Sequence, residues 1–237
     1  FLIYKSFKMK KFILLSILLI SFNTYGQLRV IEDNNYNPTL LKEAIPIYND
    51  GIEAFENQMY NLAIENFKKV IDLDPYFTDA YDMIAIAYRR TDQIESAIEY
   101  YKRSLKIFPK NRLAHSNLGL TYIQGNQFNK AEEIYKKLFK LNAISQESSE
   151  FKTVLNAEPH YGLCRVYFYK RDYDLAIFNG NKAYNIWKDN LPLYASDALY
   201  IVALSYLNKG EQTQGVKILR KAADLGNKMA KKQLLNY

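Results

Sequence analysis

The chain has 237 residues, of which 49% are hydrophobic and 24% are charged, and this composition is typical of a folded globular protein. Its 9 glycines and 6 prolines are too few for a loop-rich or disordered chain. Four of the seven net positive charges lie in the first 26 residues, which contain no Asp or Glu, so the remaining chain carries only +3. This nearly balanced charge argues against a nucleic-acid-binding surface.

Residues 9–26 have the layout of a secretory signal peptide. Lys10 and Lys11 form a positive start, residues 12–22 are apolar apart from two serines, and the small residue Gly26 follows. The apolar run is shorter than the roughly 20 residues that a helix needs to cross a bilayer. We expect cleavage after Gly26 and a periplasmic or secreted protein without a stable membrane span, and an uncleaved anchor or a buried helix are the alternatives.

Further expectations concern the origin of this predicted signal peptide and the residues on either side of it. Met9 is the expected start of translation, which makes residues 1–8 an upstream extension. The leader resembles those of Gram-negative bacteria, and the richness in Lys, Asn, Ile and Tyr resembles Bacteroidetes proteins. Residues 27–43 form a polar entry segment, after which Pro46 indicates the first turn of the first helix.

An internal period of about 34 residues organises the chain that follows, and regular repeats of this length are typical of stacked structural units rather than of a single globular core. Columns that share this step include Gly51, Ala85 and Gly119; Ala63, Ala97 and Ala131; Phe67, Tyr101 and Tyr135; and Pro75 and Pro109. We expect the small residues to let two helices approach closely and the prolines to end the second helix of each repeat.

The pattern continues with two departures. The step from Gly119 to Cys164 is longer than the period, which indicates 11 inserted residues within 142–156. The step from Cys164 to Ala203 is also longer, which indicates five more near 191–195. Both inserts are expected to alter the surface beside the most aromatic stretch.

These columns resemble the tetratricopeptide repeat (TPR) family. The resemblance implies an all-α fold, a right-handed α–α superhelix that forms a TPR solenoid of about five helix-turn-helix repeats over residues 44–237. The repeats are placed at 44–77, 78–111, 112–145, 157–190 and 196–229. The last turn, residues 222–227, resembles the related Sel-like repeats.

Catalytic and cofactor motifs are lacking in the sequence. It contains no phosphate-binding loop, dinucleotide glycine pattern, zinc-protease motif or nucleophile elbow. His115 and His160 occupy a packing position of their repeats, and Cys164 occupies the small-residue column, so we expect structural roles for all three. We therefore expect no enzyme, no catalytic or metal-binding residues and no cofactor.

The resemblance implies that the first helix of each repeat lines a concave binding groove. Tyr, Phe and Arg side chains at these positions are the candidate anchors for a protein or peptide partner. They are Tyr48, Arg89, Arg90, Tyr161, Arg165, Phe168, Tyr169 and Tyr200. The five from Tyr161 to Tyr200 form the preferred patch, and the alternative is that several of them pack against a neighbouring helix.

The expected function is a protein–protein interaction scaffold of the cell envelope. An envelope assembly or chaperone-like factor, self-associating in one version, is an open alternative. An enzyme and a small-ligand or glycan binder are further alternatives that no motif supports.

Overall fold

A computed structural model describes residues 41–143 and 155–237. The predicted signal peptide and extension, most of the polar entry segment and most of the 11-residue insert lie outside the described residues. Helix is the only regular structure within these two ranges, which confirms the all-α fold class. The α-helices are α1 (Ile45–Glu56), α2 (Tyr60–Leu73), α3 (Thr78–Arg90), α4 (Ile94–Ile107), α5 (Arg112–Gln124), α6 (Phe128–Ala143), α7 (Ala157–Tyr169), α8 (Tyr173–Trp187), α9 (Pro192–Asn208), α10 (Gln212–Asp224) and α11 (Lys228–Gln233).

The helices form five successive pairs, from α1–α2 to α9–α10, and each pair is joined by a short turn. The chain divides into two compact units after Asn117, within α5. In the first unit α1 packs on α2, α2 on α3 and α3 on α4. In the second unit each helix from α6 to α11 packs on the next. Burial therefore comes from stacking elements that are neighbours in sequence.

Prolines mark the helix ends as the sequence predicts. The first α-helix starts at Ile45 with Pro46 in its first turn, where a missing N–H costs nothing. Helices α2 and α4 end at Leu73 and Ile107, two residues before Pro75 and Pro109. The residue before a proline avoids helical geometry, so neither helix continues further.

The turn inside each pair contains one residue with a left-handed backbone. These residues are Gln58, Asp92, Asn126, Arg171 and Gly210, with φ values of 60°, 60°, 57°, 62° and 83°. They follow one another along the chain at the same steps as the small-residue columns, including both of the longer steps. The turn register therefore supports five repeats with two inserts.

Glycines set the closest approaches between helices. A Cβ added to Gly51 would lie 2.7 Å from the ring of Phe67, which shows how tightly α1 and α2 meet. Tyr135 of α6 fills the gap between Gly119 and Gly162, since a Cβ at either glycine would collide with its ring. Gly162 is a contact that the repeat columns do not identify.

The second insert is helical rather than a loop. Helix α9 has 17 residues and begins at Pro192, whereas α7 has 13. The additional residues extend the start of α9 by about one turn. The short helix α11 follows the fifth pair, and its N-cap Asn227 accepts a hydrogen bond from the backbone N–H of Ala230 at 2.8 Å. No helix in the described ranges is long and apolar enough to cross a membrane.

Candidate functional site

A tyrosine–arginine pair lies at the centre of the predicted patch in the second unit. Tyr161 and Arg165 are four residues apart on α7, so they lie on one face of the helix. The guanidinium carbon of Arg165 is 5.9 Å from the centroid of the Tyr161 ring, within range of a cation–π interaction. The buried Trp187 of α8 meets the same ring edge-on, with 5.7 Å between ring centroids. The position of Tyr161 is thus determined by packing from two sides.

A polar connection extends from this pair to α9 and α11. Asp197 of α9 accepts a hydrogen bond from Nδ2 of Asn227, which caps α11, at 2.7 Å. Burial raises the pKa of Asp197, while the hydrogen bond from Asn227 and the positive charge of Arg165 act in the opposite direction. Arg165 is therefore electrostatically coupled to a half-buried carboxylate, which restrains the guanidinium. Asn227 is a contributor that reading the repeat pattern did not single out.

Four aromatic rings gather at the end of α7. Tyr169 is 50% exposed and stacks on Phe128 of α6, with the rings 5.6 Å apart and 5° from parallel. Phe168 meets Tyr169 at 5.6 Å and Tyr173 of α8 at 6.0 Å. Aromatic surface that is rigidly packed and half-exposed is the type that proteins use to anchor a partner. The contribution of Phe128 depends on the contact between α6 and α7, which one-dimensional spacing does not reveal.

The fifth residue of the predicted patch is more deeply involved in the protein's own packing. Tyr200 of α9 is half-buried and packs against the hydrophobic core of the last pair, which includes Leu199 and Leu219. Tyr200 therefore fits, in part, the alternative interpretation that some of the predicted anchors pack against a neighbouring helix.

The three predicted residues of the first unit differ in exposure. Tyr48 of α1 is half-buried, with its ring 5.5 Å from Phe67 and 5.3 Å from Phe77. Arg89 is half-buried and Arg90 is exposed, both in the last turn of α3. A cation in the last turn is favoured by the helix dipole, which is reason enough for an arginine there. In this unit Tyr48 packs against the hydrophobic core.

The histidines and the cysteine occupy structural positions. Nε2 of the buried His115 lies 3.0 Å from the carbonyl oxygen of Pro109, and Nδ1 of His160 lies 2.9 Å from Oδ1 of Asn179. Burial raises the pKa of the Cys164 thiol to about 12, so the thiolate is disfavoured. Among residues 41–143 and 155–237, no three His, Cys, Asp or Glu side chains are grouped so as to hold a metal ion.

Stacked helical hairpins with a partly exposed patch of aromatic and arginine side chains define an all-α repeat protein with a candidate noncovalent binding surface. Residues 88–143 and 197–225 match models of the tetratricopeptide repeat. Within these two segments the chain is similar to tetratricopeptide repeats. No curated protein sequence matches the chain.

Solved structures share this fold at low sequence identity. MamA from Desulfovibrio magneticus RS-1, residue 41 to the end, has a TM-score of 0.63 and 13% identity, covering 79% of this chain and 97% of that one. Another MamA crystal structure has a TM-score of 0.60 and 24% identity, covering 81% and 96%. A putative kinesin light chain of Podosopora anserina, with nearly identical TPR-like repeats, has a TM-score of 0.61 and 15% identity, covering 81% and 96%. These likenesses show the fold.

Proposed function

We propose that this chain is a protein–protein interaction scaffold that binds a peptide segment or protein surface through the α7 patch, formed by Tyr161, Arg165, Phe168 and Tyr169. The observation that carries the proposal is the aromatic and cationic surface on one helix, where Tyr169 is 50% exposed and the other three side chains are half-buried beside it. Tyr and Arg dominate the binding energy of many protein interfaces.

The packing around the patch favours binding because it limits the entropy lost on association. Trp187 supports Tyr161, and Phe128 stacks on Tyr169 at 5.6 Å. Asp197 attracts Arg165 from α9. Side chains that are already held in place lose little rotamer freedom when a partner arrives. The matches to tetratricopeptide repeats support a protein partner.

The proposed location is the periplasm or the outside of the cell, as part of a role at the cell envelope. The support is the sequence of residues 9–26, with its basic start and short apolar run. We expect N-terminal sequencing of the mature protein to begin near Gln27. A mature protein that begins at Met9 or earlier would contradict cleavage.

Site-specific crosslinking in cells tests the α7 patch even while the partner is unidentified. A photoreactive amino acid replaces Tyr169, which is half-exposed, or Lys69, an exposed residue of α2 that serves as the control. We expect a discrete adduct from position 169 that does not form from position 69. Identical adducts at both positions, or no adduct at 169, would count against the patch.

A paired substitution then tests whether the patch supplies the binding energy. Arg165→Ala with Phe168→Ala should weaken capture of the crosslinked partner by about tenfold or more, because both anchors are removed. Helical circular dichroism should stay unchanged, since neither side chain belongs to the fully buried core. The control is Lys68→Ala with Lys69→Ala on α2, which should leave capture intact.

A further inference from the structure

The outer face of α10 contains a stripe of cations that the proposed function does not use. Gly215, Leu219, Ala222 and Ala223 form the buried face of this helix. The opposite side lines an open surface cavity of about 600 Å³, whose walls are Gln212, Thr213, Val216, Lys217, Arg220, Lys221, Asp224 and Tyr237. Asp224 is the single carboxylate side chain among these lining residues.

These cations differ from three lysines of the second unit that are paired with carboxylates. Lys136 and Lys170 each lie within 2.8 Å of Glu132, and Lys209 lies 2.6 Å from Asp174. In the described part of the chain, Lys217 and Arg220 have no carboxylate within salt-bridge distance. Their charge is thus available to a ligand.

Like charges in the stripe also repel each other and destabilise the helix. Lys217 and Lys221 are four residues apart and therefore lie on the same face, where like charges repel. The helix dipole favours Lys221, which lies in the last turn, but its influence fades within that turn and does not explain Lys217. Lys221 is also held over the ring of Tyr184, with Nζ 4.4 Å from the centroid. Asp224, four residues after Arg220 and three after Lys221, offsets part of this repulsion, and an anionic ligand would reduce it further.

We propose that this stripe, with Tyr237 as a wall, is a second docking site that takes an acidic peptide segment rich in Asp and Glu. Complementary charge selects the occupant, because three cationic side chains and one carboxylate side chain line the cavity. The cavity is an open depression along α10, so an extended peptide segment can lie in it. Arg220 can bind a carboxylate with two parallel hydrogen bonds.

Fluorescence anisotropy with the full chain tests this site. The probes are a short fluorescein-labelled peptide of Glu, Asp and one Tyr, and the same peptide with Gln and Asn in place of the acids. We expect binding of the acidic peptide, weakening as salt is raised, and no comparable binding of the amide peptide. Lys217→Gln with Arg220→Gln should reduce affinity by about tenfold or more.

Matched controls separate a built site from general charge attraction. Lys102→Gln with Lys106→Gln, two exposed lysines of α4, changes the net charge equally and should leave affinity nearly unchanged. Arg165→Ala with Phe168→Ala should also retain binding, so failure of the α7 patch and failure of this site are distinguishable. The proposal is overturned if the α4 double variant weakens binding of the acidic peptide as much as the α10 double variant does, or if the peptide does not bind at low salt. Stronger binding to phosphatidylserine-containing vesicles than to the peptide, which would indicate a membrane surface, also overturns it.

Discussion

Asp82 and Glu132 show how the same chemical group acquires opposite properties from its surroundings. Burial raises the pKa of Asp82 to about 8, although the neighbouring Ser104 hydroxyl and the hydrogen bond from Asn111 oppose this and Asp79 adds to it. Burial also acts to raise the pKa of Glu132, but hydrogen bonds from Lys136, Lys170 and Tyr167 outweigh it and hold the pKa at about 2. The two carboxyl groups therefore affect stability in different pH ranges.

The first prediction concerns Asp82. The pKa of Asp82 is about 8 in the folded protein and about 4 in the unfolded chain. Its contribution to the free energy of unfolding is therefore fully present below pH 4 and is lost as pH rises toward 8. Asp82→Asn keeps an acceptor for Nδ2 of Asn111, which lies 3.0 Å from the carboxylate, but cannot ionise. We expect the variant to be more stable than the parent above pH 8 in urea unfolding.

The control for Asp82 is Asp72→Asn, at an exposed position of α2. It should follow the parent curve across the whole pH range. An Asp82→Asn variant that loses stability with rising pH as the parent does would show that this carboxyl group is not responsible.

The second prediction concerns Glu132, which bridges α6 and α7. Its oxygens accept hydrogen bonds from Lys136 at 2.6 Å, Lys170 at 2.8 Å and the hydroxyl of Tyr167 at 3.0 Å. Because its folded pKa lies below the unfolded value, the stabilisation is present above about pH 4 and is lost as pH falls toward 2. Glu132→Gln should lower the free energy of unfolding at pH 7 by about 1 kcal/mol.

The neighbouring Glu133 offers a matched comparison for Glu132. It is exposed, and Glu133→Gln removes the same charge from the same helix. We expect thermal unfolding at neutral pH to be almost unaffected by this change. Equal losses from both substitutions would mean that net charge matters rather than the bridge.

At the scale of helices, the turns combine a fixed geometry with variable residues. Each pair uses one left-handed residue, but only Gly210 among the five avoids the clash between Cβ and backbone that this geometry imposes. The repeat therefore retains the turn and tolerates strain in four of the five positions. Asp92 and Asn126 are the least strained of these four, since Asp and Asn adopt the left-handed backbone region more readily than other residues.

The third prediction follows from this strain. Arg171 is exposed and has φ of 62°, so Arg171→Gly should relieve strain without removing buried contacts. We expect chemical denaturation to show a gain of about 1 kcal/mol in unfolding free energy. The reciprocal change, Gly210→Ala, should cost a similar amount, and a loss of stability in both variants would contradict the explanation.

The helix pairs could be predicted from sequence because their determinants are local. Small residues, aromatic residues and prolines recur at the repeat period, and each column reports on its own repeat. The extra turn of α9 was less accessible, since a five-residue insert fits a loop as well as a helix. The separate helix α11 depends on its cap at Asn227, which a search for repeat columns does not consider.

The site was predictable only to the extent that it lies on one helix. Tyr161 and Arg165 are four residues apart, so their proximity follows from helical geometry. The stack of Phe128 on Tyr169 and the bond from Asn227 to Asp197 join different helices. Such contacts depend on how helices rotate against each other, and the spacing of residues along the chain does not reveal that rotation. The same reason explains why Tyr48 and Tyr200 are more buried than the groove pattern implies.

At the scale of the whole chain, each of the two compact units is built from contacts between sequence neighbours. Asn142 near the end of α6 donates from Nδ2 to the carbonyl of Leu155, 3.1 Å away, just before α7. The ends of the 11-residue insert are thus tied together within the second unit. Local contacts of this kind are expected to form rapidly during folding, because little loop entropy must be lost first.

The buried thiol of Cys164 has a practical consequence. It is the only cysteine of the sequence, it lies against Gly180 of α8, and its ionisation is suppressed. A maleimide dye should therefore react with a cysteine introduced on the surface long before it reaches this one. Because Cys164 reacts slowly in the folded protein, its rate of labelling would measure how often α7 transiently separates from α8.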